Sequence, residues 1–301
     1  MKKIDELITL AQSRSKKRIA VAYAVDPHTL EAVNNAVELG FVDAILIGDR
    51  HEIQKAADEH NIDLTKFVIQ EEPTDVKCVE RAVELVRNGE ADIMMKGLVS
   101  SDKYMRGILN KEKGLMPARA TLSHVTILEV PAYDKLLIVS DVAVIPVPDQ
   151  KQKLQIIKYM TTIANNIGIE EPKIALVGPS EQVLPNIQSS FDAAIIAKMW
   201  ERGQIPGAII DGPLSLDAAI DMESVKIKRL NSPVAGQADG LLFPNLDAAN
   251  VFFKTATKLA GARMAAIVMG TIAPCVLTSR GDNTESKLLS IALAAVSVNR
   301  V

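Results

Sequence analysis

The sequence predicts an α/β protein with mostly parallel sheets and one antiparallel strand pair. Short apolar runs alternate with amphipathic stretches of helical length through most of the 301 residues, and this alternation is typical of sheets covered by helices. Apolar residues make up 48% of the chain but aromatic residues only 4%, which suits strands that are aliphatic on both faces. At one place two apolar runs follow each other without a helix, and they predict the antiparallel pair.

The bulk composition argues against several classes of protein. The formal net charge is −3 and the basic residues form no block, so we expect neither nucleic acid nor an anionic membrane surface as a partner. No apolar run is long enough to span a bilayer. Cys78 and Cys275 lie far apart and show no metal or redox spacing, so we expect a reduced, cytoplasmic protein whose cysteines fill its core.

The first segment is predicted to start with a helix over residues 3–13 and to continue in strand–helix alternation. Asp26 and Pro27 predict a helix start, because aspartate caps helices and proline fits their first position, and Gly40 predicts the end of that helix. The other predicted elements are strand 18–25, strand 43–48, helix 52–60, strand 66–70, helix 75–87, strand 92–97 and a short basic helix within 99–115.

The antiparallel pair is predicted at 125–130 and 135–145, and Pro146 and Pro148 mark a domain boundary after it. The pattern then predicts helix 149–166, strand 173–178, helix 184–202, strand 207–212, helix 215–222, strand 239–243, helix 247–259, strands 263–269 and 273–278, and helix 282–298. We therefore predict two α/β domains, one formed by residues 1–146 with 276–301 and the other by residues 147–275.

Loops at the carboxyl ends of predicted strands carry the candidate binding residues, because open α/β sheets bind ligands at that edge. Ser279 and Arg280 lie between the last strand and the last helix, where backbone N–H groups and the helix dipole favour an anion. An arginine fork there suits phosphate or carboxylate. Similar loops contain Ser100, Gly178, Ser180 and Asn245, although glycine turns and helix caps explain these residues equally well.

Several familiar catalytic motifs are missing from the sequence. It contains no G-x-G-x-x-G after the first strand, no G-x-x-x-x-G-K-[ST] and no G-x-S-x-G, which argues against a dinucleotide fold, a P-loop and a hydrolase elbow. The four histidines show no metal-ligand spacing, so we predict no metal site and expect His28, His51 and His60 in solvent. His124, at the start of a predicted strand, is a candidate substrate-binding residue.

Seven stretches in order resemble the phosphate acetyltransferase and phosphate butyryltransferase family, and the butyryl branch more closely. The two most specific are DGPLSLDAA at 211–219 and DGLLFPNLDAAN at 239–250. The others are MKGLV at 95–99, LSHV at 122–125, EVP at 129–131, QK at 152–153 and LTSR at 277–280. The resemblance covers nearly the whole chain and implies reversible transfer of a short-chain, butyryl-like acyl group between coenzyme A and inorganic phosphate.

The resemblance also implies a fold, partners and site residues. The implied fold has two domains and three layers, like that of isocitrate and isopropylmalate dehydrogenases, with the active cleft between the domains. A homodimer or larger homo-oligomer is implied, with acyl-CoA and phosphate as substrates and no metal or redox cofactor. Ser279 matches the family serine that stabilises the acyl oxyanion, and Arg280 the arginine that holds phosphate or coenzyme A. Arg106 is the nearest match to a further cleft arginine, with Arg119 as the alternative.

The general base is where the sequence departs from the family pattern. The acetyl branch has an aspartate seven residues after the serine, and Ser286 occupies that position here. Glu285 is the candidate base, but Asp282 and Glu285 also fit a helix N-cap and its N3 partner. Three alternatives to butyryl transfer therefore stay open: a phosphate acetyltransferase acting on acetyl-CoA, a non-catalytic coenzyme A or acyl-phosphate binding protein, and a metal-dependent dehydrogenase on the same implied fold.

Overall fold

A computed structural model describes residues 1–279 and 281–298. Up to residue 122, strands and helices alternate as predicted, with bounds shifted by a few residues. They are α1 (Glu6–Gln12), β1 (Lys17–Ala22), α2 (Pro27–Glu38), β2 (Val42–Gly48), α3 (Arg50–Asp58), β3 (Val68–Glu71), α4 (Asp75–Arg87), β4 (Ile93–Lys96) and α5 (Ser101–Ile108).

The second half of the chain opens with the predicted strand pair. The next elements are β5 (Ser123–Glu129), β6 (Leu136–Ser140), α6 (Gln150–Asn166), β7 (Lys173–Val177), α7 (Gln188–Glu201), β8 (Ile209–Leu214), α8 (Leu216–Ile220), α9 (Met222–Lys228), β9 (Gly240–Leu242) and α10 (Leu246–Lys258). The last are β10 (Arg263–Met269), β11 (Cys275–Val276) and α11 (Thr284–Ser297). Helix α9 was not predicted, because it buries only Val225 and therefore shows no apolar stripe.

The chain divides into two compact units whose bounds differ from the predicted domains. The terminal unit comprises Asp5–Leu122 and the chain from Ala265 on, and the central unit comprises Met1–Ile4 and Ser123–Met264. A boundary near residue 146 would separate β6 from its parallel neighbour β9. A boundary at residue 276 would likewise cut through β11, which pairs with β10. Strand pairing, which the sequence pattern does not specify, thus sets the bounds.

The sheet of the terminal unit has the order β3-β2-β1-β4-β11-β10. Its first five strands are parallel, and β10 runs antiparallel to β11. The helix after each parallel strand therefore begins beyond the same edge of the sheet. Helices α2, α3, α4, α5 and α11 all have a side-chain N-cap, formed by Asp26, Asp49, Thr74, Ser100 and Asn283 in that order.

The sheet of the central unit has the order β5-β6-β9-β7-β8. Strands β6, β9, β7 and β8 are parallel, whereas β5 is antiparallel to β6. The first residues of β5 therefore lie at the edge where the four parallel strands end. This arrangement confirms the predicted α/β class with mostly parallel strands and an antiparallel pair. Among the helices of the described residues, none is both long and apolar enough to cross a bilayer.

We predict that Gly97→Ala destabilises the terminal unit. The Gly97 N–H donates to the Ala22 carbonyl at 2.9 Å, and an added Cβ would lie 2.1 Å from the Tyr23 carbonyl oxygen. Relieving such an overlap costs about 3 kcal/mol, which corresponds to a fall in melting temperature of roughly 6–12 °C for a unit of this size.

Calorimetry of the two variants checks this prediction. Gly281→Ala is the matched control, because a Cβ there would meet no atom within 4 Å and should leave the melting temperature nearly unchanged. Equal melting temperatures for Gly97→Ala and the control would contradict the packing described for Gly97.

Candidate functional site

The turn after β11 places Ser279 on the surface of the terminal unit. The Ser279 backbone N–H donates to Asp282 Oδ2 at 2.7 Å, and the Asp282 N–H donates to the Ser279 carbonyl at 3.1 Å. Ser279 is exposed whereas Thr278 before it is buried. Arg280, the other residue predicted for this turn, lies outside the described residues. Because Asp282 occupies the Ser279 N–H, the hydroxyl is the donor that Ser279 can offer to a ligand.

The cap of α11 corrects the predicted role of Asp282 and Glu285. Asn283 is the N-cap, and its side chain accepts the Ser286 N–H at 2.9 Å. The predicted capping box of Asp282 with Glu285 is therefore wrong, because Asp282 bonds to Ser279 instead. Glu285 is exposed in the first turn of α11, where a carboxylate interacts favourably with the helix dipole. Its candidacy as a base no longer competes with a capping-box role.

The turn after β4 lies beside the turn after β11, because these strands are parallel neighbours. The buried Lys96 ammonium donates to the carbonyls of Gly97 and Val99, each at 3.1 Å, and so shapes this loop. Ser100 caps α5, since its hydroxyl accepts the Lys103 N–H at 3.4 Å. Two helix N-termini, those of α5 and α11, thus follow neighbouring strands, an arrangement that favours an anion.

The two candidate arginines both lie on the surface. Arg106 forms an ion pair with Asp102 at 3.0 Å on α5, and its side chain is 78% exposed. Arg119 is also exposed and has a positive φ of 63°. An exposed ion pair contributes little to stability, so Arg106 can exchange Asp102 for an anionic ligand at small cost. The structure of the terminal unit does not discriminate between the two arginines.

Lys287 connects the starts of α11 and α2. Its side chain is 4% exposed, and its Nζ lies 3.6 Å from Asp26 Oδ2 and donates to the Asp282 carbonyl at 3.1 Å. Burial acts to raise the pKa of Asp26, but the hydrogen bond from the Thr29 hydroxyl and the Lys287 ammonium outweigh it, so the pKa is lower than usual. This buried charge pair therefore holds Asp282, and with it the Ser279 turn, against α2.

A buried polar cluster fills the corresponding edge of the central unit. Asp141, directly after β6, accepts hydrogen bonds through Oδ2 from the Ser123 hydroxyl at 2.9 Å and the His124 N–H at 3.2 Å. The Ser140 hydroxyl donates to the His124 carbonyl at 2.8 Å. All four residues are buried. Asp141 also accepts backbone N–H bonds from Ala143, Val144 and Ile145.

This cluster gives His124 a defined environment and adds a residue that the sequence analysis missed. The ring Nδ1 of His124 lies 3.2 Å from the Thr126 hydroxyl, and His124 is 4% exposed. We interpreted residues 135–145 as one apolar strand, so Asp141 was passed over. A lone aspartate inside a long apolar run was the available signal, because a buried carboxylate needs several donors.

The other predicted residues of the central unit occupy turns and caps. Asn245 caps α10, accepting the Ala248 N–H at 2.9 Å. Ser180 is half-buried, and its hydroxyl accepts the Gln182 N–H at 3.2 Å. The Gly178 N–H donates to the Leu214 carbonyl at 2.8 Å, which fixes the end of β7 against β8. These contacts are the structural alternatives that the sequence allowed, and they place all three residues at the carboxyl edge of the sheet.

A second charge network joins the loops after β7 and β8. Lys228 Nζ lies 2.9 Å from Glu181 Oε1 and 2.7 Å from Asp217 Oδ2, and the Ser215 hydroxyl donates to both carboxylates. The hydrogen bonds from Lys228 and then Ser215 lower the pKa of Asp217 to about 2. Asp217 belongs to the DGPLSLDAA stretch, so part of that motif orders the sheet edge.

The two cysteines are structural. Both are buried, and burial raises the pKa of Cys78 to about 11 and that of Cys275 to about 12. Thiols with such pKa values carry almost no thiolate at neutral pH. The expectation that they fill the core is met, and neither fits the role of a nucleophile.

The candidate residues thus fall into two groups, one in each unit. Ser100, Arg106, Ser279 and Glu285 belong to the terminal unit, and His124, Gly178, Ser180 and Asn245 belong to the central unit. Within each unit, all except Arg106 and Glu285 lie in or directly beside a loop at the carboxyl end of the parallel strands. The predicted cleft between domains stays a prediction.

Comparison with known proteins decides the family. A family model described as Phosphate acetyl/butaryl transferase matches residues 3–81 and 74–295. The chain belongs to this family. A phosphate butyryltransferase of Clostridium acetobutylicum is 43% identical over 98% of this chain and 98% of its own length. A phosphate acetyltransferase of Thermotoga maritima is 38% identical over 97% of this chain and 99% of its own. The family resemblance inferred from the sequence is confirmed.

Solved structures agree with the fold of this family member. A branched-chain phosphotransacylase from Enterococcus faecalis V583 superposes with a TM-score of 0.82 at 29% identity, covering 95% of this chain and 100% of its own. A 4-hydroxythreonine-4-phosphate dehydrogenase from Klebsiella pneumoniae superposes with a TM-score of 0.58 at 12% identity, covering 95% and 100%. The second likeness concerns the fold alone and supports the dehydrogenase-like architecture only in part.

We predict that Asp26→Asn destabilises the protein at neutral pH and much less in acid. Asparagine keeps the N-cap but removes the charge that faces buried Lys287, which should cost about 1–3 kcal/mol. Because the folded-state pKa of Asp26 is lowered, its contribution is present above roughly pH 4 and is lost as the pH falls through the folded-state value.

Melting temperatures of wild type and variant between pH 7 and pH 3 test this prediction. The difference should shrink towards acid pH. Asp49→Asn is the control, since Asp49 also caps a helix but bonds to the N–H groups of His51 and Glu52. A gap between wild type and Asp26→Asn that is independent of pH would rule out the proposed charge interaction.

Proposed function

We propose that this chain reversibly transfers a butyryl or similar short-chain acyl group between coenzyme A and inorganic phosphate. The observation that carries the proposal is the Ser279 turn, an exposed hydroxyl between β11 and the N-terminus of α11, in a chain that belongs to the phosphate acetyl/butaryl transferase family. The names of its relatives, a phosphate butyryltransferase and a phosphate acetyltransferase, support the same chemistry.

In the direction of acyl-CoA synthesis, a base removes the proton of the coenzyme A thiol and the sulfur attacks the carbonyl carbon of the acyl phosphate. The new C–S bond forms, the C–O bond to phosphate breaks, and phosphate leaves with the electron pair. In the reverse direction a phosphate oxygen attacks the thioester, and the departing thiolate takes a proton. A thiol of ordinary pKa is only a few per cent thiolate at neutral pH, so a positioned base would accelerate the first direction.

The negative charge on the carbonyl oxygen needs a donor, and the Ser279 hydroxyl is proposed for this role. Its own N–H is already bonded to Asp282, so the hydroxyl is the group that remains. The N-termini of α5 and α11 add positive potential on the same side of the terminal sheet. The resemblance supports Arg280 as the group that holds phosphate, since a guanidinium binds phosphate through two parallel hydrogen bonds.

Several finer points are also proposals. The higher identity to the butyryltransferase than to the acetyltransferase favours butyryl over acetyl, and a non-catalytic coenzyme A binding protein is the alternative that a turnover assay would distinguish. We further propose a homo-oligomer in the cytoplasm, with a reaction that needs no metal or redox cofactor. A two-domain fold like that of isocitrate and isopropylmalate dehydrogenases has partial support in the structural likeness to another dehydrogenase.

Release of free thiol from butyryl-CoA should require phosphate and should fall about 10²–10³-fold in Ser279→Ala, because one oxyanion donor typically contributes that much. A thiol-reactive dye measures the release, and the two buried protein thiols should leave its background low. Ser13→Ala, at an exposed serine after α1, is the control and should retain full activity.

Acetyl-, propionyl-, butyryl- and isobutyryl-CoA should be compared in the same assay, with butyryl-CoA expected to give the highest kcat/KM. No phosphate-dependent release with any of them would overturn the proposed function. If coenzyme A nevertheless raised the melting temperature, the chain would be a binding protein instead.

Glu285→Gln tests the candidate base. If Glu285 takes the thiol proton, the variant should lose about 10²–10⁴-fold in kcat for acyl-CoA synthesis, and the acidic limb of the pH–rate profile should disappear. An unchanged rate and profile would remove Glu285 from the mechanism. Glu285 lies on the surface of the first turn of α11, so the variant should melt at the wild-type temperature.

A further inference from the structure

Two histidines and a glutamate of the terminal unit converge although they come from separate elements. His28 and Glu31 lie one turn apart on α2, and His60 follows the end of α3. One nitrogen or oxygen from each side chain lies within 4.8 Å of the other two, and the imidazole centroids are 6.0 Å apart. We propose that these side chains form a binding site for a divalent first-row transition metal ion, with zinc as the best match.

The backbone holds each ligand in place. His28 and Glu31 are three residues apart on one helix and therefore share a face, and the start of that helix is fixed by the Asp26 cap. After His60, Asn61 adopts a left-handed conformation with φ of 51°. The Ile62 N–H then donates back to the Ala57 carbonyl at 3.0 Å. This turn closes the end of α3 and directs the chain at His60.

Glu31 is oriented by a hydrogen bond from another helix. The hydroxyl of Thr284, the first residue of α11, donates to Glu31 Oε2 at 2.7 Å. The same oxygen lies 3.9 Å from His60 Nδ1. Carboxylates that bind metals are commonly held by such an outer hydrogen bond. A bound ion would therefore join α2, the end of α3 and the start of α11.

The donor set identifies the class of ion. Imidazole nitrogen and carboxylate oxygen are ligands of zinc, and three protein ligands leave a fourth position for water. Tetrahedral ligand atoms at about 2.0–2.1 Å from zinc lie roughly 3.4 Å apart, so the side chains must close by about 1 Å. Partial exposure, 30% for the His60 side chain and 36% for Glu31, leaves room for that movement. Magnesium and calcium prefer sites built from oxygen alone.

The sequence analysis missed this cluster because it sought ligand spacing among histidines alone. The local signal was the i, i+3 pair of His28 and Glu31 on a predicted helix. The third member is 29 residues beyond Glu31, and only the packing of α3 beside α2 brings it close.

Calorimetric titration of the metal-free, full-length protein with zinc in phosphate-free buffer tests the proposal. Wild type should bind one ion per chain. His28→Gln and His60→Gln should each raise the Kd by at least about tenfold, since even outer-shell changes cost 10–100-fold. His51→Gln, at an exposed histidine on α3 outside the cluster, is the matched control and should bind like wild type.

Thermal melting provides a second readout that does not depend on activity. Zinc should raise the melting temperature of wild type and of His51→Gln but not of the other two variants, and magnesium should raise none of them. Unchanged zinc affinity in both His28→Gln and His60→Gln would overturn the proposal, as would an equal loss in His51→Gln. The three side chains would then form only a surface ion pair with a neighbouring ring.

Discussion

Parallel strands impose the constraint from which the candidate site follows. Such strands cannot be joined by a tight hairpin, so each is followed by a crossover, usually a helix, and the helices start beyond the same sheet edge. In the terminal unit five capped helix N-termini follow parallel strands in this way. Their unpaired N–H groups and dipoles make this edge favourable for phosphate before any side chain is considered.

Side chains then fix how the loops at these edges are held. In the terminal unit Lys287 supplies a buried positive charge between Asp26 and the Asp282 carbonyl. In the central unit Asp141 supplies a buried negative charge that gathers backbone and hydroxyl donors from β5, β6 and the following loop. Both groups are costly to bury and are compensated by several hydrogen bonds. We infer that they keep the edges rigid enough to position small substrates.

Much of the fold could be predicted from sequence because the signals are local. Apolar runs and amphipathic periodicity located most strands and helices, and Asp26, Ser100 and Asn245 occupy cap positions that residue chemistry favours. The cap of α11 was misassigned because three adjacent residues, Asp282, Asn283 and Thr284, are all plausible caps. Local sequence does not determine which of them bonds to Ser279.

The features that could not be predicted depend on distant pairing. The bounds of the units follow from β6 pairing with β9, about a hundred residues later along the chain. The role of Asp141 depends on β5 lying antiparallel to β6, and the cluster of His28, Glu31 and His60 depends on packing between two helices. Family resemblance supplied the activity and the role of Ser279, which periodicity and spacing alone do not specify.

The central claim is that the acyl group passes to phosphate and not to water. Phosphorus NMR of the protein with butyryl-CoA and phosphate tests this most directly, because an acyl phosphate has a resonance of its own. We expect this resonance to grow in step with free coenzyme A and to disappear when coenzyme A is added in excess. Formation of butyrate and coenzyme A, with the phosphate signal unchanged, would identify a thioester hydrolase and contradict the account.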